Sequence, residues 1–202
     1  MTTSTAKADY QDPGAISWLS GKLQRYINHI HSTRPIIVVC IGTDRSTGDS
    51  LGPLVGTMLN KRKIDGIAIY GTLDEPVHAV NLKETLTTIH ERFRNPYLIA
   101  IDACLGQFTS IGTIQVGDGP MRPGAGVNKD LPPVGDIHIT GIVNVGGFME
   151  YLVLQNTRLS IVMNMAELIA NGLARSLNQR PRPNPESGFK QQYNESLAFL
   201  QS

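Results

Sequence analysis

Three things are scarce in this 202-residue chain: excess charge, aromatic side chains and cysteine. With 18 Lys and Arg against 17 Asp and Glu, and the basic residues scattered, it lacks the positive face on which a nucleic-acid binder relies. Aromatics make up 6 %, too few for a platform that stacks single-stranded bases. The 2 cysteines, Cys40 and Cys104, read as free thiols rather than a disulfide framework. No apolar run is long enough to span a bilayer, and the first ten residues lack the apolar core of a signal peptide. The expectation is a cytoplasmic protein whose partners include neither nucleic acid nor membrane.

What the chain does have is short apolar runs alternating with helical stretches. Ile36–Ile41, Ile67–Tyr70, Tyr97–Asp102, Thr113–Val116 and Ile137–Ile142 read as strands. Ala15–Ile30, Leu51–Leu59, Val77–Phe93, Gly146–Leu154 and Leu159–Leu177 read as helices. This pattern predicts one α/β domain, a three-layer α/β/α sandwich on a mostly parallel sheet of about five strands. Residues 1–14 are expected to be loose, and the proline-bearing stretch 178–202 to be a tail with a short final helix. Gly117–Pro133, rich in glycine and proline, is the longest irregular stretch and is expected to border the site.

Two aspartates follow apolar strand runs. Asp49 closes the loop Gly42–Asp49 after the first strand, and Asp102 ends the third. In parallel sheets the carboxyl ends of the strands share one rim, where ligands bind. Asp49 alone fits helix capping equally well. Together, two carboxyls about 3–7 Å apart would share a proton, one serving as general base and the other as acid. The other chemistry open to them is to hold a divalent metal that activates water. His138 is the natural third ligand for that, although a hydrogen-bonded strand histidine is the commoner role.

The Gly42–Pro53 loop matches neither Gly-x-Gly-x-x-Gly nor the lysine-bearing phosphate loop, and Asp44 and Asp49 would repel phosphate. No cofactor is called for. Arg45 and Lys129 lie in rim loops, where they could steady a substrate carbonyl or carboxylate. Cys104 has no histidine near it in sequence and fits a small inert thiol better than a nucleophile.

Gly48-Asp49-Ser50-Leu51-Gly52-Pro53, Ala100-Ile101-Asp102-Ala103 and Thr113-Ile114-Gln115-Val116 occur in that order, followed by Arg122-Pro123-Gly124-Ala125-Gly126-Val127-Asn128-Lys129. The ordered set resembles the germination protease family, enzymes that degrade small acid-soluble spore proteins. The chain is similar, over about residues 35–177, to a shorter sporulation-protein relative of that protease. The resemblance implies a phosphorylase/hydrolase-like α/β sandwich, an atypical aspartic endopeptidase with Asp49 and Asp102 catalytic, and a forespore or spore location. Spore proteins are the implied substrate. Asp44, Arg45, Asn128, Lys129 and Asn144 are candidate substrate contacts.

Gly71-Thr72 with Asn81-Leu82, and Gly147-Phe148-Met149-Glu150-Tyr151-Leu152, also resemble segments of hydrogenase maturation endopeptidases. Those enzymes grip nickel with two carboxylates and a histidine, and the histidine falls at Asn144 here. An amide is a poor substitute for imidazole, so the resemblance favours a metal-free pair. A non-catalytic binding or assembly protein on the same scaffold is the competing class. The Ala15–Ile30 and Leu159–Leu177 stripes suit either a core or a homo-oligomer.

Overall fold

Strand β2 (Ile36–Cys40) is buried at every position, which is why its sequence is an unbroken apolar run rather than an alternating one. It lies inside a six-stranded sheet of order β1-β5-β6-β4-β2-β3 in the computed structural model, which describes residues 6–124 and 131–180. The remaining strands are β1 (Ala6–Asp9), β3 (Ile67–Tyr70), β4 (Tyr97–Gly106), β5 (Thr113–Asp118) and β6 (Ile137–Val145). β3, β2, β4 and β6 run parallel, β5 pairs antiparallel with β6, and β1 at the edge pairs antiparallel with β5.

Helices cover both faces. α1 (Ala15–Ile27), α2 (Leu51–Lys61) and α5 (Leu159–Asn178) share one apolar core with the sheet. Gly172 of α5 lets Leu19 of α1 approach closely, since a Cβ there would collide with the Leu19 side chain. Full burial of one such leucine contributes about 1.5–3 kcal/mol. α3 (Leu82–Arg92) covers the opposite face through Leu82 and Ile89, helped by Met121, Leu131 and Val134 from the β5–β6 connection. The two stripes expected to serve a core or an oligomer are therefore buried within this chain. Among the described residues, no helix is long and apolar enough to cross a membrane.

Several boundaries correct the sequence reading. Residues 6–9 are not loose: they pair with β5, so the sheet has six strands rather than about five. β4 does not end on Asp102 but continues four residues further, because β6 keeps pairing with it to Gly106↔Val145. α3 starts at Leu82 rather than Val77. Asn81 accepts the His78 amide (2.8 Å) and donates to the Pro76 carbonyl (3.0 Å), holding that segment as a turn. The short α4 (Glu150–Gln155) starts four residues after Gly146, beyond Gly147 and Met149, both at positive φ. α5 runs to Asn178, and the tail from residue 181, with its expected final helix, lies outside the described residues.

Candidate active site

The order of connections places a switch point in the sheet. From β2 the chain crosses through α2 to β3 on one side, then returns through α3 to β4 on the other. Helices on opposite faces leave a crevice between the carboxyl ends of β2 and β4, the position at which open α/β sheets bind ligands. Asp49 lies in the connection leaving β2, and Asp102 lies on β4 itself.

Asp49 sits in a 3₁₀ turn, Gly48–Ser50, directly before α2. Two glycines press this turn against the end of β2. At Gly42 (φ 145°) a Cβ would overlap the Asp49 carbonyl oxygen, and at Gly52 it would overlap the Ile41 carbonyl oxygen. The Thr43 amide closes the loop by donating to the Asp49 carbonyl (3.2 Å). Pro53 occupies the first turn of α2, where its missing N–H costs nothing. The N-cap residues of the turn and of α2 are Thr47 and Ser50, neither of which makes a side-chain capping bond, and Asp49 lies between them.

Asp102 is buried, at 8 % exposure. Side chains alternate along a strand, so it shares the α3 face with Leu98 and Ala100. Thr140 of β6 stands opposite it in register. Its Oδ1 accepts the Ala103 amide (2.9 Å), and the Gly124 amide also donates to this carboxyl. The β5–β6 connection thus reaches over the rim and supplies a backbone donor to the buried acid.

The electrostatics follow from that burial. Desolvation, reinforced by the nearby charge of Asp49, raises the Asp102 pKa well above the usual carboxylate value, and the two amide bonds offset only part of the rise. Asp49 is also raised by burial, with the Ser46 hydroxyl pulling the other way. Ser46 Oγ is buried without a well-formed hydrogen bond among the described residues, so its dipole is available to Asp49. Both carboxyls are therefore shifted upward, Asp102 the further, with the charge of Asp49 adding to the effect of burial.

The other candidates divide. Asp44 and Arg45 are exposed in the rim loop beside the Asp49 turn. Asn128 and Lys129 lie outside the described residues. Asn144 is occupied structurally: its amide donates to the Val153 carbonyl (3.3 Å) and Thr157 Oγ1 (3.2 Å) and accepts the Val145 amide (2.8 Å). His138 stands opposite Ala100, one strand repeat below Asp102. Its ring lies over Gly117, with Nδ1 2.9 Å from the Gly119 carbonyl oxygen. Among the described residues no three His, Cys, Asp or Glu side chains gather as a metal site. The donor set does not fit a nickel-type centre, because the position of the imidazole holds a committed amide and His138 points elsewhere.

Cys104 shares a face with Asp102, two residues on. Burial and the Asp102 charge push its thiol up to about 11, against a smaller opposing effect of the Thr140 hydroxyl. It remains a protonated thiol near neutral pH rather than a nucleophile. Gly124, Ser46 and Thr140 were missed as site residues by sequence reasoning. Gly124 alone carried a signal, inside the Arg-Pro-Gly-Ala-Gly stretch.

This architecture is a known one. A [NiFe] hydrogenase maturation protease, HycI from Thermococcus kodakarensis KOD1, superposes with a TM-score of 0.52 over 78 % of this chain and 99 % of that one, at 17 % identity. The likeness establishes the α/β fold, a parallel sheet between helical layers. The chain belongs to the family described as "Protein of unknown function (DUF1256)", matched over residues 7–172. It is 64 % identical over 141 residues to "Uncharacterized protein YyaC" of Bacillus subtilis (strain 168), covering 70 % of this chain and 69 % of that protein. YyaC is the shorter relative to which the ordered Asp49 and Asp102 motifs pointed.

Proposed function

We propose that the protein is an endopeptidase of atypical aspartic type, using Asp49 and Asp102 as a proton-sharing pair on a protein substrate. One observation carries this reading: Asp102 is buried on β4 at the switch-point crevice, near enough to Asp49 for that charge to add to its raised pKa. Perturbed pKa values of this kind concentrate where acid–base chemistry is done.

The chemistry is that of general acid–base hydrolysis. Ionised Asp49 takes a proton from water as its oxygen adds to the carbonyl carbon, and Asp102 gives its proton to the carbonyl oxygen. In the collapse, Asp49 passes its proton to the amide nitrogen, the C–N bond breaks, and Asp102 recovers a proton from the diol hydroxyl. Asp49 and Asp102 finish as they began, and one water is consumed. The motif resemblance to the germination protease supports small acid-soluble spore proteins as substrates, with action inside the developing spore.

The test is a digest of spore proteins by the full chain, beside Asp49→Asn and Asp102→Asn, with and without chelator. Cleavage that survives chelation and disappears in both variants supports the pair. Cleavage abolished by chelator would replace it with a metal-dependent endopeptidase. A wild-type chain that cleaves nothing, and whose Asp49→Asn variant sporulates normally, would leave a binding protein on the same scaffold.

A further inference from the structure

Beyond Ile101 the sheet changes character. β2 stops at Cys40, its last register partner on β4 being Ile101, and the Ile41 amide closes the ladder on the Ile101 carbonyl (2.7 Å). β4 and β6 continue together from Asp102↔Thr140 to Gly106↔Val145, while β5 stays paired with β6 as far as Ile114↔Gly141, so Cys104–Gly106 and Ile142–Val145 form a two-stranded ribbon that begins two residues beyond Asp102. The N–H and C=O groups of odd-numbered β4 residues face the β2 side, as the bonds of Tyr97 to Pro35 and of Ile41 to Ile101 show. The extra residue at the register shift falls on β6, so the alternation on β4 continues through Ala103 and Leu105. The Ala103 amide is taken by Asp102. Among the described residues, no strand pairs with the rest of that edge.

Exposed strand edges are ordinarily guarded by charge or proline. Here neither occurs from Ala103 to Gly117, nor from Ile139 to Met149. The tip of the ribbon is instead apolar: Phe108 is 79 % exposed and Phe148 81 %, with Val145, Met149, Tyr151 and Leu152 exposed around them. Leu154 of α4 packs near Gly48, beside Asp49, so this apolar surface joins the elements that carry both acids.

We propose that the β4 edge at Ala103–Gly106 docks the substrate as an added strand. The occupant is an extended, uncharged polypeptide segment whose apolar side chains lie on Phe108 and Phe148. Main-chain bonds to the open edge supply affinity, alternate side chains supply selectivity, and the adjoining peptide bond comes to Asp102 and Asp49. This rests on the endopeptidase reading. A second copy of this chain is a poorer occupant, because pairing two such edges would close both crevices against any substrate.

The probe is a blocked fluorescent octapeptide of alternating valine and threonine, read by anisotropy on the full-length Asp49→Asn variant. Two analogues accompany it, one N-methylated at alternate amides in either register, the other with lysine in place of threonine. The neutral peptide should bind. N-methylation in one register, lysine substitution, and the double change Phe108→Ser/Phe148→Ser should each weaken it about tenfold or more. Those phenylalanines are exposed, and far-UV circular dichroism confirms that the fold is kept. Absent binding, indifference to methylation in both registers, or a wild-type dimer that the double variant splits would each overturn the proposal. The two readings fail separately. Peptide capture by a chain that cleaves nothing would retire the endopeptidase and keep the docking edge. Cleavage by the double variant on the Asp49 background with unaltered kcat/KM would do the reverse.

Discussion

The two ends of the parallel sheet treat charge in opposite ways. At the amino end, Arg34 precedes β2 and donates to the carbonyls of Asn95 (3.0 Å) and Pro96 (3.0 Å) and to Asp136 (3.3 Å), with its guanidinium over the Tyr97 ring. Asp136 in turn accepts the Leu98 amide (2.8 Å). Arg180, at the end of α5, donates to the carbonyls of His31, Ser32 and Arg34. Opposite charges and carbonyl dipoles are matched there, and the result fastens β2, β4, β6 and α5 together. At the carboxyl end two acidic side chains, Asp49 and Asp102, are set near one another, and burial together with the Asp49 charge raises the Asp102 pKa. The proposed acid–base role accounts for an arrangement that works against folding.

The sharpest way to break the contrast is to neutralise one acid at the carboxyl end. Asp49→Asn or Asp102→Asn should lower turnover about 10²–10⁴-fold, the range that acid–base catalysis supplies, with the far-UV spectrum unchanged. Either variant retaining more than a tenth of wild-type activity would remove that aspartate from the reaction.

The next effect is in pH. Asp49 must be ionised, so activity falls as pH drops through its raised pKa; Asp102 must be protonated, so activity falls as pH rises through its own. The profile of kcat/KM should be bell-shaped, with both limbs displaced above the ordinary carboxylate range and reporting the pair rather than either residue. Residual activity of Asp102→Asn should lose the alkaline limb. An alkaline limb that survives that substitution belongs to another group.

Arg34→Ala tests the amino end. It frees three acceptors at once and should cost about 1–3 kcal/mol of unfolding free energy in a denaturant titration. The pH profile should not move, because the sheet separates Arg34 from the crevice. A shifted profile would mean that the two ends are coupled.

The sequence made the core legible and left the rims partly hidden, for physical reasons. Unbroken apolar runs located β2 and the first half of β4 because burial on both faces demands them. Ala6–Asp9 escaped because an edge strand paired on one side needs no apolar run. The far half of β4, Ala103–Gly106, escaped because polarity changes at Asp102 while pairing with β6 does not. Asp49 and Asp102 were legible from their place after strand runs. The Gly124 amide and the Ser46 hydroxyl were not, since a backbone donor and a loop hydroxyl leave no periodic mark. The bonds that tie the Asn144 amide to α4 and the turn that follows also leave no periodic mark in the sequence.

The smallest effect reads the same contrast as stability. Asp102 binds its proton more tightly folded than unfolded, so the native state holds more protons than the unfolded one between the two pKa values. Stability must then fall as pH rises through that window. Asp102→Asn removes the cost of burying a charge while keeping an oxygen for the Ala103 and Gly124 amides. The variant should therefore melt above wild type at pH 8, by about 2–4 °C for each kcal/mol recovered, and the gap should close towards pH 4. Asp136→Asn supplies the counterpart at the amino end. It breaks the Arg34 pair and should melt below wild type at pH 8. Thermal scans at the two pH values decide the matter: if Asp102→Asn is the less stable protein at pH 8, the carboxylate is held by a compensating partner and the two ends of the sheet are alike.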